Sequence, residues 1–174
     1  MDELKHHIRD VPDFPKPGIM FRDITTLLKN REAFRATIDR FVEQYRHHGV
    51  DLVVGIEARG FLFAPLIAYA LGAGVVPLRK PKKLPAKTVR VEYTLEYGVD
   101  ALEAHEDAIQ RGQRVLVIDD LLATGGSADA ACRLVEQLGG NIVGVAFLIE
   151  LSFLNGRSRL KPYEVFSLIQ YDSE

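Results

Sequence analysis

The chain lacks several features that would direct its interpretation elsewhere. It has 174 residues and no tryptophan. Because Cys132 is its single cysteine, an internal disulfide is excluded. Its formal net charge of −2 gives no electrostatic footprint of nucleic-acid binding. No apolar run approaches the roughly 20 residues that span a membrane, and the polar N-terminus has no signal-peptide core. We therefore expect a globular cytoplasmic protein with neither nucleic-acid nor membrane partners.

Clustered metal ligands are also lacking. None of the five histidines pairs with cysteine or glutamate at the spacing of a metal site, and all lie in polar stretches. We expect solvated histidines and no metal held by direct side-chain ligation.

The most informative segment that is present covers residues 115–127, Val-Leu-Val-Ile-Asp-Asp-Leu-Leu-Ala-Thr-Gly-Gly-Ser. The apolar run 115–118 is typical of a strand buried on both faces of a parallel sheet. Asp119 and Asp120 follow it directly. Ligands of such sheets bind outside the carboxyl ends of the strands. The two carboxylates are therefore expected at a binding site.

The loop at 123–127 suits an anion. Gly125 and Gly126 can adopt positive φ and bring backbone amides close to a ligand. Ser127 is predicted to cap the helix that follows, so amides and the helix dipole converge on one point. The acids would face sugar hydroxyls, Mg²⁺ or a developing positive charge. A P-loop is disfavoured because no Gly-Lys-Ser/Thr ending is present, and a Rossmann fingerprint is also absent. The loop residues are Ala123, Thr124, Gly125, Gly126 and Ser127.

The rest of the chain alternates strand and helix patterns with short connections. This predicts one α/β domain over 1–174, with a mostly parallel central sheet and helices on both faces. The N-terminal 1–30 and a β-ribbon or hood at 80–100, expected to be mobile and outside the core, would cap the site. Helices are predicted at 3–9, 31–47, 61–71, 103–109 and 127–138, and strands at 51–56, 74–79, 114–119, 141–149 and 164–169.

A second group of charges is expected at the same edge of the sheet. Arg59 follows the strand at 51–56, and its planar guanidinium suits a diphosphate. Arg79 and Lys80 end the next strand. Together with the 123–127 loop, these cations suit a ligand with two separated phosphate groups.

These segments carry a family resemblance. The string at 115–127 resembles the phosphoribosyl diphosphate motif of the type I phosphoribosyltransferases. Four further blocks, at 14–25, 57–61, 79–85 and 93–98, are similar to the adenine-using branch of that family. The resemblance spreads over nearly residues 5–150.

The resemblance implies transfer of phosphoribose from 5-phospho-α-D-ribose 1-diphosphate to adenine, giving AMP and diphosphate in purine salvage, with Mg²⁺ and in a homodimer. Asp119 and Asp120 would hold the ribose and stabilise charge, and residues 123–127 would bind the 5-phosphate. Glu96 is the candidate general base. The resemblance assigns diphosphate contacts to Arg59, Arg79, Lys80 and Lys83, and the adenine site to Met20, Phe21, Arg22 and Tyr97, with Glu96 and Tyr97 on the hood.

Two alternatives stay open. One is a phosphoribosyltransferase for another purine, hypoxanthine or xanthine. The other is a non-catalytic regulator that binds phosphoribosyl diphosphate. The chain departs from the family at Lys82, where a small residue, usually glycine, is common. This departure is expected to stiffen the hood or to alter the diphosphate contacts.

Overall fold

A computed structural model describes residues 2–95 and 98–174 of the chain. The strands are β1 (Arg9–Val11), β2 (Phe21–Asp23), β3 (Leu52–Ile56), β4 (Gly74–Leu78), β5 (Thr88–Thr94), β6 (Val99–His105), β7 (Arg114–Leu122), β8 (Asn141–Leu151) and β9 (Val165–Tyr171). The helices are α1 (Asp2–Lys5), α2 (Thr25–Lys29), α3 (Arg31–Tyr45), α4 (Ala64–Leu71) and α5 (Gly126–Gln137). Short 3₁₀ helices lie at Arg59–Leu62, Ser152–Leu154 and Gly156–Leu160.

Five strands form one parallel sheet in the order β4–β3–β7–β8–β9. The predicted α/β fold is thereby confirmed. The chain leaves β3 through α4 to reach β4 on one side, whereas β7 pairs with the other side of β3. A crevice opens where connections diverge in this way, and it is the usual ligand site of open α/β sheets.

Both faces of the sheet are covered because its strands alternate two sets of apolar side chains. In β7, Val115 and Val117 face a core shared with α5, and Leu116 and Ile118 face a core shared with α3 and α4. All four are fully buried. Among the described residues, no helix has the length and apolar character needed to cross a membrane.

Helix α3 follows the predicted segment 31–47 closely. The Asn30 side chain accepts hydrogen bonds from the Glu32 and Ala33 amides at 3.1 and 2.9 Å, which caps the helix. Phe41 and Tyr45 are fully buried on its inner face. Helix α3 thus covers the sheet on the same side as α4.

The ribbon after β4 is present, but the helix predicted at 103–109 is wrong. Strands β5 and β6 pair antiparallel from Thr88 opposite His105 to Thr94 opposite Val99. Leu102 is buried against α5, so strand pairing and burial override a locally helix-favouring sequence. The expectation that the ribbon stands outside the core is also wrong, because its inner side chains belong to the core cluster: Val91, Tyr93, Leu102 and Ala104.

The N-terminal segment differs from the prediction as well. The helix expected at 3–9 ends at Lys5, and β1 then pairs antiparallel with β2. Each of these strands has only three residues, which is too short for a periodic signal in the sequence. The hairpin brings Phe21 and Asp23 beside Arg59 at the carboxyl edge of the sheet.

The strand predicted to end at residue 119 runs to Leu122 instead. Leu121 and Leu122 still pair with Ile149 and Glu150 of β8. Asp119 and Asp120 therefore lie within the strand, at 8% and 6% exposure.

Candidate active site

The carboxyl ends of β3 and β7 border a cavity of about 320 Å³. The loop after β7 closes one end, and the ribbon residues 93–95 and Asp100 lie along another side. The predicted site residues that line this cavity are Arg59, Lys80, Asp119, Asp120, Ala123, Thr124, Gly125, Gly126 and Ser127.

The loop 123–127 turns its backbone toward this cavity, although its cap differs from the prediction. Gly125, with φ 85°, is the N-cap residue of α5, and Ser127 is the second residue of the helix. Within the described part of the chain, no side chain caps the first turn. Uncapped amides and the positive end of the helix dipole are the features that bind phosphate groups.

The two acids of β7 occupy different environments. The Asp120 carboxylate pairs with the Arg59 guanidinium. The Asp119 Oδ1 accepts the Asp120 amide at 2.9 Å. Burial raises the pKa of Asp119 well above its usual range, and the nearby Asp120 charge adds to this shift. Both acids line the cavity, and Asp120 is the one that pairs with Arg59.

Glu57, directly after β3, forms ion pairs with cations that follow the next strand, β4. Lys83 Nζ and the Lys80 amide donate to its carboxylate at 2.7 and 2.8 Å, and Arg79 lies 3.4 Å away. Burial opposes ionisation of Glu57, but these donors outweigh it and lower its pKa to about 2. Lys80 lines the cavity, whereas Arg79 and Lys83 are absent from its described lining. The peptide bond between Glu57 and Ala58 is cis, and Arg59 is the next residue along the chain.

Lys80 joins the rim of the sheet to the ribbon. Its Nζ donates to the Tyr93 hydroxyl at 2.6 Å and also pairs with Asp100. The Tyr93 hydroxyl donates to Asp100 at 3.0 Å. The predicted diphosphate cations Arg59, Lys80 and Lys83 are thus each held by a carboxylate of the protein.

A second cavity of about 380 Å³ adjoins the first, and Arg59 lines both. The Phe21 ring lies in it, 5.1 Å from the Phe14 ring and 5.7 Å from the Arg59 guanidinium carbon. An aromatic floor with a nearby cation suits a planar heterocycle. The other lining residues are Val11, Phe14, Arg22, Asp23, Ile24 and Thr25.

Not every residue predicted for the base site faces this second cavity. Arg22 lines it, but its guanidinium pairs with Asp10 at 2.6 Å and stacks 4.1 Å over the Tyr171 ring. Met20 is absent from the described lining of the cavity. Glu96 and Tyr97 fall outside the described residues, so their roles stay predictions.

Sequence reasoning missed Glu57, Tyr93 and Asp100 as site residues. Glu57 belongs to the Glu-Ala-Arg-Gly block, and its place beside Arg59 could have indicated a role. Asp100 has no local signal, because its partner Lys80 lies 20 residues away and is brought close by the ribbon.

Fold and site together define an α/β protein whose sheet edge offers a loop with uncapped helix amides, two neighbouring acids and an adjoining aromatic pocket. A family model described as the phosphoribosyl transferase domain matches residues 24–173. The chain belongs to the phosphoribosyltransferase family, as its sequence resemblance predicted.

Close relatives carry one name. The adenine phosphoribosyltransferase of Solibacter usitatus is 63% identical over 172 residues and covers 99% of both chains. That of Koribacter versatilis is 61% identical over 171 residues, which is 98% of this chain and 94% of the relative.

Solved structures agree. The adenine phosphoribosyltransferase of Thermoanaerobacter pseudethanolicus has a TM-score of 0.95 and 52% identity, covering 98% of this chain and 99% of that one. The Saccharomyces cerevisiae protein, complexed with D-2,5-dideoxy-2,5-imino-altritol 1,6-bisphosphate and adenine, has a TM-score of 0.90 and 44% identity, covering 95% and 96%.

Proposed function

We propose that the protein is the enzyme of adenine salvage that converts adenine and 5-phospho-α-D-ribose 1-diphosphate to AMP and diphosphate. The observation that carries the proposal is that Arg59 lines both the anion cavity and the aromatic pocket of Phe21. A sugar in the first cavity and a base in the second would meet at their boundary. The relatives at 63% and 61% identity, which carry the name of this activity, support it.

The binding roles follow from the charge of each part of the site. Loop 123–127 receives the 5-phosphate at the start of α5, where amides are uncapped. Asp119 and Asp120 hold the ribose hydroxyls. The diphosphate binds at the rim that carries Arg59, Arg79, Lys80 and Lys83.

The reaction breaks the bond between ribose C1 and the diphosphate oxygen and forms a bond from C1 to an adenine nitrogen. Positive charge develops on the ribose, and carboxylates fixed beside it lower the energy of the transition state. Phe21 stacks on the adenine ring, with Met20 and Arg22 nearby. Glu96 would accept the proton that adenine loses, and Tyr97 is assigned by the family resemblance to binding of the adenine.

The diphosphate competes with carboxylates of the protein for the same cations. Arg59 is paired with Asp120, and Lys80 with Asp100. A diphosphate carries more negative charge than one carboxylate, so it can draw these cations away. Transfer of Arg59 to the diphosphate would leave the Asp120 carboxylate free to face the ribose.

Mg²⁺ is part of the proposal as an ion carried by the substrate. Among the described residues, no group of three or more His, Cys, Asp or Glu side chains is placed to hold a metal. Mg²⁺ generally keeps several waters and binds through one or two carboxylates and substrate phosphates. Asp119 and Asp120 are the carboxylates that would face it. When bound, the ion neutralises charge on the leaving diphosphate.

We also propose a homodimer that forms on α4. Leu66 and Tyr69 of α4 and Leu62 of the preceding 3₁₀ helix are exposed, Tyr69 at 88%, and Val75 of the edge strand β4 is exposed as well. Apolar stripes of this kind mark association surfaces. A second copy of the chain is the occupant proposed, because a twofold axis matches such a stripe with itself.

Segments 1–30 and 80–100 serve as cap and hood within a single domain of 1–174. Phe14 and Phe21 from the first line the base pocket, and residues 93–95 from the second line the anion cavity. Closure of the hood would exclude water that could hydrolyse the activated sugar. A cytoplasmic location completes the proposal.

The test is turnover with a panel of bases. Purified protein is incubated with phosphoribosyl diphosphate, Mg²⁺ and one of adenine, hypoxanthine, guanine, xanthine or uracil, and nucleotide and diphosphate are measured. We expect AMP from adenine and little product from the others. Conversion of hypoxanthine or xanthine without adenine would overturn the base assignment. Binding of the sugar diphosphate without release of diphosphate for any base would favour a regulator.

A further inference from the structure

The C-terminal turn Gly156–Leu160 is built against the phosphate loop, backbone to backbone. A Cβ on Gly156 would lie 2.3 Å from the Ala123 carbonyl oxygen. A Cβ on Gly125 would lie 2.7 Å from the Gly156 carbonyl oxygen. Both distances are far below van der Waals contact, so only glycine at each position permits this approach. The turn and the loop therefore behave as one unit.

The turn is also anchored from behind. Arg157 Nε and Nη2 donate to the two Glu150 carboxylate oxygens at 2.6 and 2.7 Å, and its Nη1 donates to the Val165 carbonyl at 2.7 Å. This bidentate geometry fixes the Arg157 backbone. Leu160 is fully buried in the core beneath α5. Because Arg157 and Leu160 are both held, the backbone between them is fixed in orientation.

Arg159 lies between the anchors and points to the other side of the turn. A 3₁₀ helix has three residues per turn, so residues two apart face different ways. Arg159 Cβ is 3.5 Å from the Cβ position of Gly125, and its Nη1 is 3.6 Å from that of Gly126. The guanidinium therefore lies against the first residue of α5.

Arg159 differs from the other cations of the site in having no counterion. Within residues 2–95 and 98–174 it forms no hydrogen bond or ion pair. Arg59 and Lys80, by contrast, are held by Asp120 and Asp100. An anion could engage Arg159 without displacing any carboxylate.

We propose that Arg159 is a further binding residue for the 5-phosphate, supplying the charge that the amides and hydroxyls of the 123–127 loop lack. The inference deepens the proposed function and rests on it. Because Arg159 is exposed, its contribution is modest, and loss of the guanidinium should weaken phosphate binding roughly three- to tenfold.

The test compares ligands with and without the phosphate. Calorimetry measures AMP and adenosine binding to wild type, Arg159→Gln and Arg159→Lys. The matched control is Arg35→Gln, which removes the same charge from an exposed position on α3. We expect weaker AMP binding to Arg159→Gln, unchanged adenosine binding, partial recovery in Arg159→Lys and no effect in the control. The salt dependence of AMP binding should also become shallower in Arg159→Gln.

Two results would overturn the assignment of Arg159. One is equal AMP affinity in wild type and Arg159→Gln at low salt. The other is an equal loss for AMP and adenosine, which would indicate a general structural effect. Failure of the proposed function would appear elsewhere, in wild type that forms no AMP. Failure of the Arg159 assignment would leave wild-type turnover intact.

Discussion

Two neighbouring carboxylates of β7 show how position alone separates the roles of identical side chains. Both carboxylates are buried, and desolvation raises the pKa of Asp119, with the charge of Asp120 raising it further. Asp120 pairs with Arg59 at the cavity surface. A carboxylate beside the ribose stabilises positive charge only while it is ionised. Asp120 is therefore the residue on which catalysis should depend more directly.

Asp120→Asn should lower turnover by at least ~100-fold, because a neutral amide cannot stabilise the charge that develops on the ribose. Steady-state kinetics with adenine and phosphoribosyl diphosphate measure this effect. Asp39→Asn is the control, since it removes an exposed carboxylate of α3 that also pairs with an arginine. Near-wild-type turnover in Asp120→Asn would remove its assigned role.

Phe21→Ala should raise the KM for adenine more than the KM for phosphoribosyl diphosphate. The Phe21 ring lies in the apolar pocket and not in the lining of the anion cavity, so its loss removes stacking on the base alone. Phe153→Ala, at an exposed aromatic outside both cavities, serves as the control. Equal changes in both constants would contradict a place for Phe21 at the base.

At the scale of elements, two connections at the site contain a residue with left-handed backbone: the loop before α5 and the segment after β4. Gly125 (φ 85°) is the N-cap residue of α5, and Lys82 (φ 66°) lies in the connection between β4 and β5. The family commonly has a small residue at the Lys82 position, and its positive φ gives the physical reason. The Lys82 amide donates to the Glu103 carboxylate at 3.1 Å, which helps to hold this conformation.

Gly125→Ala should destabilise the protein and raise the KM for phosphoribosyl diphosphate. The new Cβ would meet the Gly156 carbonyl oxygen at 2.7 Å. Gly112→Ala is a matched control, because Gly112 has φ 88° but no atom within 4 Å of its Cβ position. The control shares the cost of positive φ, so overpacking should add about 1–3 kcal/mol at Gly125 alone. Thermal or urea unfolding measures the difference, and equal losses would show that the loop does not depend on this contact.

At the scale of the whole molecule, the apolar stripe of α4 bears on assembly. Leu66 lies at its centre and is 42% exposed. Leu66→Glu should convert the proposed dimer to monomer, because it places a charge in an apolar interface. Sedimentation velocity measures the change, and Leu154→Glu, at 40% exposure in a separate turn, is the control. A monomeric wild type, or a dimer that survives Leu66→Glu, would contradict association on this face.

Much of the architecture follows from local patterns. The run 115–118 is apolar throughout because both faces of β7 are buried, and helix 31–47 carries its apolar residues at helical spacing. The failures have a shared cause. The helix expected at 103–109 is absent because residues 103–105 pair with β5 as the end of β6, and β1 and β2 are stabilised by pairing with each other. Contacts between distant segments decide such cases.

The sequence by itself determined the strands and the main helices of the central sheet, the glycine loop that follows two acids, and the family. Tertiary structure alone decided which carboxylate holds which cation. Arg59 and Asp120 are 61 positions apart, and Glu57 and Lys83 are 26 apart. Charges pair by distance in space, and the order of strands in the sheet sets that distance. For the same reason, the packing of the Gly156–Leu160 turn on Gly125 is what places the Arg159 side chain beside the 123–127 loop.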